Sequence, residues 1–288
     1  MTTKNELYSH SRTESGQDFI MEICLDPFNA RLRIDDYRGN VQTMHKRVLE
    51  LAMENGFTKV FIKSRPEDWQ TLLSFGYMLE GVFKRYFNGS DAYSMALYFT
   101  DERRTSEYWM QEDDILRQVL TLPPKPSDEP LAQGYSIRLA TIEDAEQLAQ
   151  LYGTVFQTYP TPMNDASYIK KVMLEGTIFY AVESNHRIIS AASAEVNTLY
   201  NNAEMTDCAT YPEHRKHGLM RHLIVALERE LRSRSIYCAY SLARSLSFGM
   251  NAVFHQLGYE YTGRMTKNCN IFDKFEDMSL WVKDLSRQ

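Results

Sequence analysis

Asn202-Ala-Glu-Met-Thr-Asp-Cys-Ala-Thr-Tyr-Pro-Glu-His-Arg-Lys-His-Gly-Leu-Met220 is the stretch on which the reading of this chain turns. Alternation up to Thr210 predicts a strand over Glu204–Thr210, and Tyr-Pro-Glu-His predicts a short loop. The stripe Leu219, Met220, Leu223, Ile224, Leu227 and Leu231 predicts an amphipathic helix over Gly218–Arg234. A strand that runs through a loop into a helix turns main-chain N–H groups outward at the positive end of the helix dipole, which suits a pyrophosphate. Gly218 permits close approach, and Arg215, Lys216 and His217 add donors or positive charge. Taken alone, one glycine and three basic residues read better as a basic loop capping an ordinary helix.

Working outward, Tyr135–Ala140 alternates as a strand, and Thr141 with Asp144 has the spacing of a capping box opening a helix to about Val155. Tyr159-Pro-Thr-Pro162 is a rigid turn before a helix around Ala166–Glu175. Thr177–Glu183 and Ile188–Asn197 are further strands. Beyond the Gly218 helix, Ile236–Leu242 is a strand, Ser247–Leu257 a helix stopped by Gly258, and Tyr259–Val282 a hairpin. The order β-α-α-β-β-β-α-β-α-β-β predicts an α/β (α+β) fold with a mixed sheet over residues 135–288.

Four of the nine prolines, Pro123, Pro124, Pro126 and Pro130, fall in the stretch 122–134, with Lys125, Ser127, Asp128 and Glu129 among them. This reads as a solvated linker after a first domain over 1–121. That domain ends as the second does. Phe75-Gly76-Tyr77 matches Leu257-Gly258-Tyr259; Gly81 and Gly263 keep the same offset, as do Asn88 and Asn270. After one inserted residue, Met95–Phe99 matches Met278–Val282. Val41–Asn55 as a helix, Thr58–Lys63 as a strand and Pro66–Ser74 as a helix complete the shared α-β-α-β-β order. The first domain is thus expected to be a smaller, degenerate relative of the second, with chance similarity of two endings as the alternative.

Composition narrows the function classes. The 288 residues carry 43% hydrophobic and 24% charged side chains, with a formal net charge of −6. Nucleic acid and anionic membrane are poor partners for that balance. The polar Met1–Gln17 shows no signal-peptide core, and no apolar run reaches a membrane span. Four dispersed cysteines without a CxxC pair predict a reducing cytoplasm. His214-x-x-His217 with His222 lacks HExxH spacing, so no metal is expected.

Arg215-x-x-Gly218-x-Met220 resembles the Q/R-x-x-G-x-G/A pyrophosphate loop of the GNAT N-acetyltransferases. There too it follows the fourth strand after a Pro-Glu like Pro212-Glu213 and opens the third helix, and Leu257-Gly258-Tyr259 matches the family's LGF/LGY ending. Met220 stands where the family has a small residue, and Lys216 where it often has Gly. Phe156-Gln-Thr-Tyr-Pro160, Ser247-Phe-Gly-Met-Asn251 and Phe275–Lys283 resemble the β-lysine N-acetyltransferase branch. The resemblance implies direct acetyl transfer, in a ternary complex, from acetyl-CoA to the terminal amine of β-lysine, in a compatible-solute or lysine-utilisation pathway.

It also implies roles. Cys208, Ala209 and Thr210 would pair their backbone with the pantetheine arm. Arg215, Lys216, His217, Gly218, Leu219 and Met220 would grip the diphosphate, with Ser247 and Asn251 at the cofactor. Glu204 takes a common general-base position, because an alkyl ammonium with a pKa near 10.4 must lose a proton before attack. Asp207 faces away from Glu204 on a regular strand and joins it only if a bulge intervenes. Phe254 stands where the family has a Tyr acid; His255, Tyr240 or Tyr259 are substitutes, or the thiolate leaves unaided. For a substrate with two amines and one carboxylate, Arg244, Arg264 or Lys267 are candidates for the carboxylate. Glu195, Asp207, Glu276 and Asp277 are candidates for the ammonium, with Tyr159 as a pocket wall. Another diamine, polyamine or amino acid as acceptor is the nearest rival, and a non-catalytic acyl-CoA-binding regulator the rival of another class. The first domain covers the acceptor pocket, pairs two chains as a homodimer, or stabilises the fold.

Overall fold

The structure is a computed structural model that describes residues 8–126, 128–272 and 274–287; residues 1–7, Ser127 of the Pro-rich stretch, Asp273 and Gln288 lie outside that description. The first half runs β1 (His10–Ser15), β2 (Phe19–Asp26), β3 (Arg31–Gly39), α1 (Val41–Glu54), β4 (Lys59–Ser64), α2 (Trp69–Ser74), β5 (Met78–Phe87) and β6 (Ser90–Tyr98). Two helices follow, α3 (Asp101–Arg104) and α4 (Trp109–Leu120). The second half runs β7 (Ser136–Leu139), α5 (Ala145–Val155), α6 (Ala166–Leu174), β8 (Ile178–Ser184), β9 (Arg187–Asn197), β10 (Asn202–Thr210), α7 (Leu219–Ser233), β11 (Cys238–Arg244), α8 (Phe248–Gln256), β12 (Glu260–Ile271) and β13 (Lys274–Asp284).

Every element expected in the second half is present, and local chemistry explains its ends. Thr141 and Asp144 form the capping box, with the Asp144 carboxylate accepting from the Thr141 N–H at 2.7 Å. In α7 the predicted stripe is buried at Leu219, Leu223, Ile224, Leu227 and Leu231. In the first half, Asn40 caps α1 by accepting from Gln42 N–H at 2.9 Å.

Among the described residues, thirteen strands form a single mixed sheet in the order β1-β2-β3-β4-β6-β5-β12-β13-β11-β10-β9-β8-β7. The two halves trace the same path, β1-β2-β3-β4-β6-β5 and β8-β9-β10-β11-β13-β12, each with one parallel pair, β3 with β4 and β10 with β11. They join edge to edge where β5 meets β12, in register at Gly81 and Gly263. Each half packs its own core, and a third apolar cluster lies between them, built from Phe61, Phe83 and Tyr86 on one side and Tyr240, Met265 and Leu280 on the other. Phe83 sets its edge to Tyr240 at 5.1 Å. Helix α4, counted with the first domain from sequence, buries Val119 in the core of the second half. Among the described residues no helix is long and apolar enough to cross a membrane.

Candidate active site

The site starts from a fork in the sheet. β10 and β11 pair in parallel only over Asn202–Glu204 with Cys238–Tyr240, and then part. The Ser241 hydroxyl donates to the Met205 carbonyl at 2.7 Å across the point of divergence. On its other edge β10 carries a bulge. Thr206 opposes Ser193 and Ala209 opposes Ala191, so β10 holds one residue more than β9 between those pairs. Asp207 takes the extra place with a left-handed φ of 50°. The bulge turns Asp207 onto the face that carries Glu204, as the conditional expectation required, and both line one cavity of about 380 Å³.

That cavity has walls from both halves of the chain. β9 and β10 supply Glu195, Glu204 and Asp207, while β3 and β4 supply Arg33, Asp35 and Lys63. Burial raises the pKa of Glu204, and Lys63 and Arg33 hold it down against that push. Burial also raises Asp207, whose carboxylate accepts from the Ser193 hydroxyl at 2.6 Å. Glu195 is open to the cavity by area yet enclosed by protein, and this burial, with the charges of Glu204 and Asp207, raises its pKa too. Burial would push the Asp35 carboxyl up, but Arg33 and Lys63 pull it well below the usual range.

A narrow neck of about 90 Å³ connects this cavity to a groove of about 510 Å³. Tyr159, Thr206, Asp207 and Leu242 border both cavity and neck. Cys208, Arg244, Ser247 and Met250 border both neck and groove. The groove reaches Thr210, Arg215, Lys216, Gly218, Leu219 and Met220. Among the described residues, the main-chain N–H groups of residues 216–220 have no hydrogen-bond partner. Lys216 and Gly218 both adopt left-handed backbone, with φ of 70° and 71°, so the loop is shaped by the glycine and by a lysine in a conformation that costs a side chain energy. Met220 is half-buried and packs on the core while bordering the groove, which answers its departure from a small residue. Unpaired amides at a helix start beside a groove fit a diphosphate-bearing cofactor.

Several expected site residues lie elsewhere. Asn251 is buried away from the groove: its amide donates to the Arg244 and Ser247 carbonyls, at 3.0 and 2.8 Å, and accepts from the Trp281 indole at 2.8 Å. Glu276 and Asp277 are buried outside the cavity that holds Glu204, Glu276 beside Arg244 and Asp277 accepting from Lys267 N–H at 2.8 Å. Arg244 stacks on Phe272 and borders the neck and groove rather than that cavity. Arg264 pairs with Glu112 and Asp113, and Lys267 with Glu107. The Ala209 side chain is in the core. The His217 ring packs against Tyr135, which also contacts His214. Burial pushes the Cys208 thiol up, which opposes a thiolate nucleophile there.

Of the substitutes for the missing acid, His255 faces the Leu122 carbonyl at 3.1 Å, and neither Tyr240 nor Tyr259 borders the neck. Phe254 does border it, and so does Tyr159, whose phenol burial keeps protonated. The charged cavity-lining residues that sequence reasoning missed are Arg33, Asp35 and Lys63. A lysine inside the apolar run Val60-Phe-Ile-Lys63 of a wholly buried strand was their signal.

The Acetyltransferase (GNAT) domain family matches residues 136–262. The N-acetyltransferase YodP of Bacillus subtilis is 37% identical over 260 residues, covering 90% of this chain and 94% of that protein. The chain belongs to the GNAT N-acetyltransferase family. This GNAT enzyme is also 33% identical over 261 residues to the β-lysine N(6)-acetyltransferase of Methanococcus maripaludis, covering 91% of this chain and 95% of the relative. It is 34% identical over 270 residues to that of Methanosarcina mazei, covering 87% and 100%.

Proposed function

We propose that this GNAT enzyme transfers the acetyl group of acetyl-CoA to the N6 amine of β-lysine, giving N6-acetyl-β-lysine. The observation that carries the reading is a cavity with carboxylates on one wall and cations on the other, joined by a short neck to a groove that ends at unpaired helix-start amides. The identity to two β-lysine N(6)-acetyltransferases over most of the chain supports the choice of acceptor.

Residues 216–220 would hold the diphosphate, and the open edge of β10 beyond Glu204 would hold the pantetheine. Acetyl-CoA supplies the activated acyl group when bound. The chain's own residues handle the proton and the orientation. An ammonium entering the neck meets Asp207 and Tyr159, with Glu204 on the same face of β10. Glu204, directly or through Asp207, takes the proton that the amine must lose. The Tyr159 hydroxyl is the donor at the neck, in place of the phenol absent at Phe254.

The first half serves as a cover for the acceptor rather than as a second catalytic unit, and we read it as a degenerate copy of the second. Its strand path supports that kinship. β3 and β4 pair over Arg31–Ile34 with Lys59–Ile62, four positions against the three of β10 with β11. A single residue, Asn40, links β3 to α1, leaving no loop for a diphosphate. The four cysteines are free thiols, in keeping with a cytoplasmic enzyme.

Mass spectrometry after incubation with acetyl-CoA and a panel of amines tests the reading. An acetylated product from β-lysine, with Glu204→Gln slowing turnover most at acidic pH, is expected. Turnover of a polyamine in preference to β-lysine would replace the acceptor. Tight CoA binding without turnover of any amine would make the protein a regulator.

A further inference from the structure

We propose that Arg33 and Lys63, both from the first half of the chain, bind the carboxylate of the acceptor, so that the cavity selects a diamino acid over a plain diamine. The inference rests on the acetyl-transfer reading above and names the group that enforces its acceptor. Arg33 lies on β3 and Lys63 on the adjacent β4, and both line the cavity. Asp35 sits between them, 2.9 Å from the Arg33 guanidinium and 2.6 Å from the Lys63 ammonium. One carboxylate therefore serves two cations, which leaves an excess positive charge on that wall. The Arg33 Nε is buried and, among the described residues, has no hydrogen-bond partner. Lys63 is only 8% exposed and is held over the rings of Phe61 and Tyr86 at 5.5 Å. A buried lysine beside a half-buried arginine with an unused donor fits an incoming carboxylate.

The other cations nearby are already matched. Arg31 donates to Asp26 at 2.8 Å and to the Asn268 carbonyl at 2.8 Å. Arg264, Lys267 and Arg244, the expected candidates, pair with Glu112, Glu107 and Glu276. Position then gives direction. Arg33 and Lys63 border the wide cavity but not the neck, whereas Asp207 and Tyr159 border both. A substrate anchored by its carboxylate at Arg33 and Lys63 points its far amine toward the neck. Glu195, also on the wide cavity and not on the neck, faces the amine nearer the carboxylate. The anchor thus sets which of two amines is acetylated.

The test is steady-state kinetics of the full chain with acetyl-CoA and two acceptors, β-lysine and 1,4-diaminopentane, which is β-lysine without its carboxylate. The wild type should favour β-lysine in kcat/KM by at least about tenfold. Arg33→Gln and Lys63→Met should each bring that ratio toward unity, mainly through KM for β-lysine, and Arg33→Lys should restore part of it. Any effect of these changes on the base acts on both acceptors and cancels in the ratio. The two sites are independent variants, so one that fails to fold leaves the other to decide. A wild-type preference for β-lysine that survives both substitutions overturns the anchor while leaving the reaction intact. No turnover of β-lysine by the wild type overturns the reading beneath the inference, and the inference with it.

Discussion

Gly81 and Gly263 face each other at the one register position that joins the two halves of the sheet. They are also equivalent points in the internal sequence match, and each lies beside a register shift in its own hairpin. The join is tight because neither has a side chain. A Cβ on Gly263 would stand 2.1 Å from the Glu80 carbonyl oxygen and 2.3 Å from the Gly81 Cα. A Cβ on Gly81 would meet Gly263 Cα at 3.1 Å, a contact that small shifts relieve.

Gly263→Ala should therefore destabilise the protein by about 3 kcal/mol, since the clash is with backbone, and Gly81→Ala by only about 1 kcal/mol. Urea unfolding of both variants checks the order. Equal losses would mean that the strands can part at this point without cost.

Lys63 acts on Glu204 through charge. Burial raises the pKa of Glu204, and Lys63 is the foremost group opposing that rise. Lys63→Met removes the opposition, so the Glu204 pKa moves further up. A base must be ionised to accept a proton, so the acid limb of log kcat/KM shifts to higher pH. Activity should fall more at about pH 6 than at about pH 9, relative to wild type. A pH profile of unchanged shape would remove Glu204 from the base role.

Gly218 takes a left-handed conformation at the start of α7, where the unpaired amides lie. Gly218→Asp adds backbone strain and places a negative charge at the positive end of the helix dipole. CoA should bind at least about tenfold more weakly by calorimetry. An unchanged Kd would show that the diphosphate sits elsewhere.

Glu112 offers a test of stability rather than catalysis. This buried α4 carboxylate accepts from Arg264 at 3.2 Å, but burial, with the nearby Asp277 charge, raises its pKa. A carboxyl raised in the folded state stabilises fully below its unfolded value, and that contribution is lost as pH rises through the folded value. Glu112→Gln, which mimics the neutral form, should gain Tm over wild type as pH rises from about 5 to about 9. A gain that shrinks with pH would mean the charged pair with Arg264 dominates.

Much of the second half was legible because its signals are local. Apolar period, the Thr141–Asp144 cap and Gly258 at a helix end each act within a few residues. The loop at Gly218 followed from the same kind of pattern. What periodicity could not supply was anything made by distant segments meeting. Asn251 is expected at the cofactor from the family resemblance of Ser247–Asn251, but its neighbours are the Trp281 indole and two carbonyls. Arg264 and Lys267 looked free, yet α4 and the segment before it bring Glu112, Asp113 and Glu107 to them. Arg33 and Lys63 reach Glu204 only because the sheet turns one half toward the other, a relation that no window of sequence contains.

That sheet has one further consequence. Among the described residues its strand pairing across the seam is one glycine pair, backed by the apolar cluster around Phe83 and Tyr240, and the cavity lined by Glu204 and Lys63 straddles that seam. Severing the chain in the Pro-rich stretch would leave two fragments, each with a raw edge strand and half a chamber. On the proposed reading, neither fragment alone would discriminate among amines, even if the one with the helix-start loop still held acetyl-CoA.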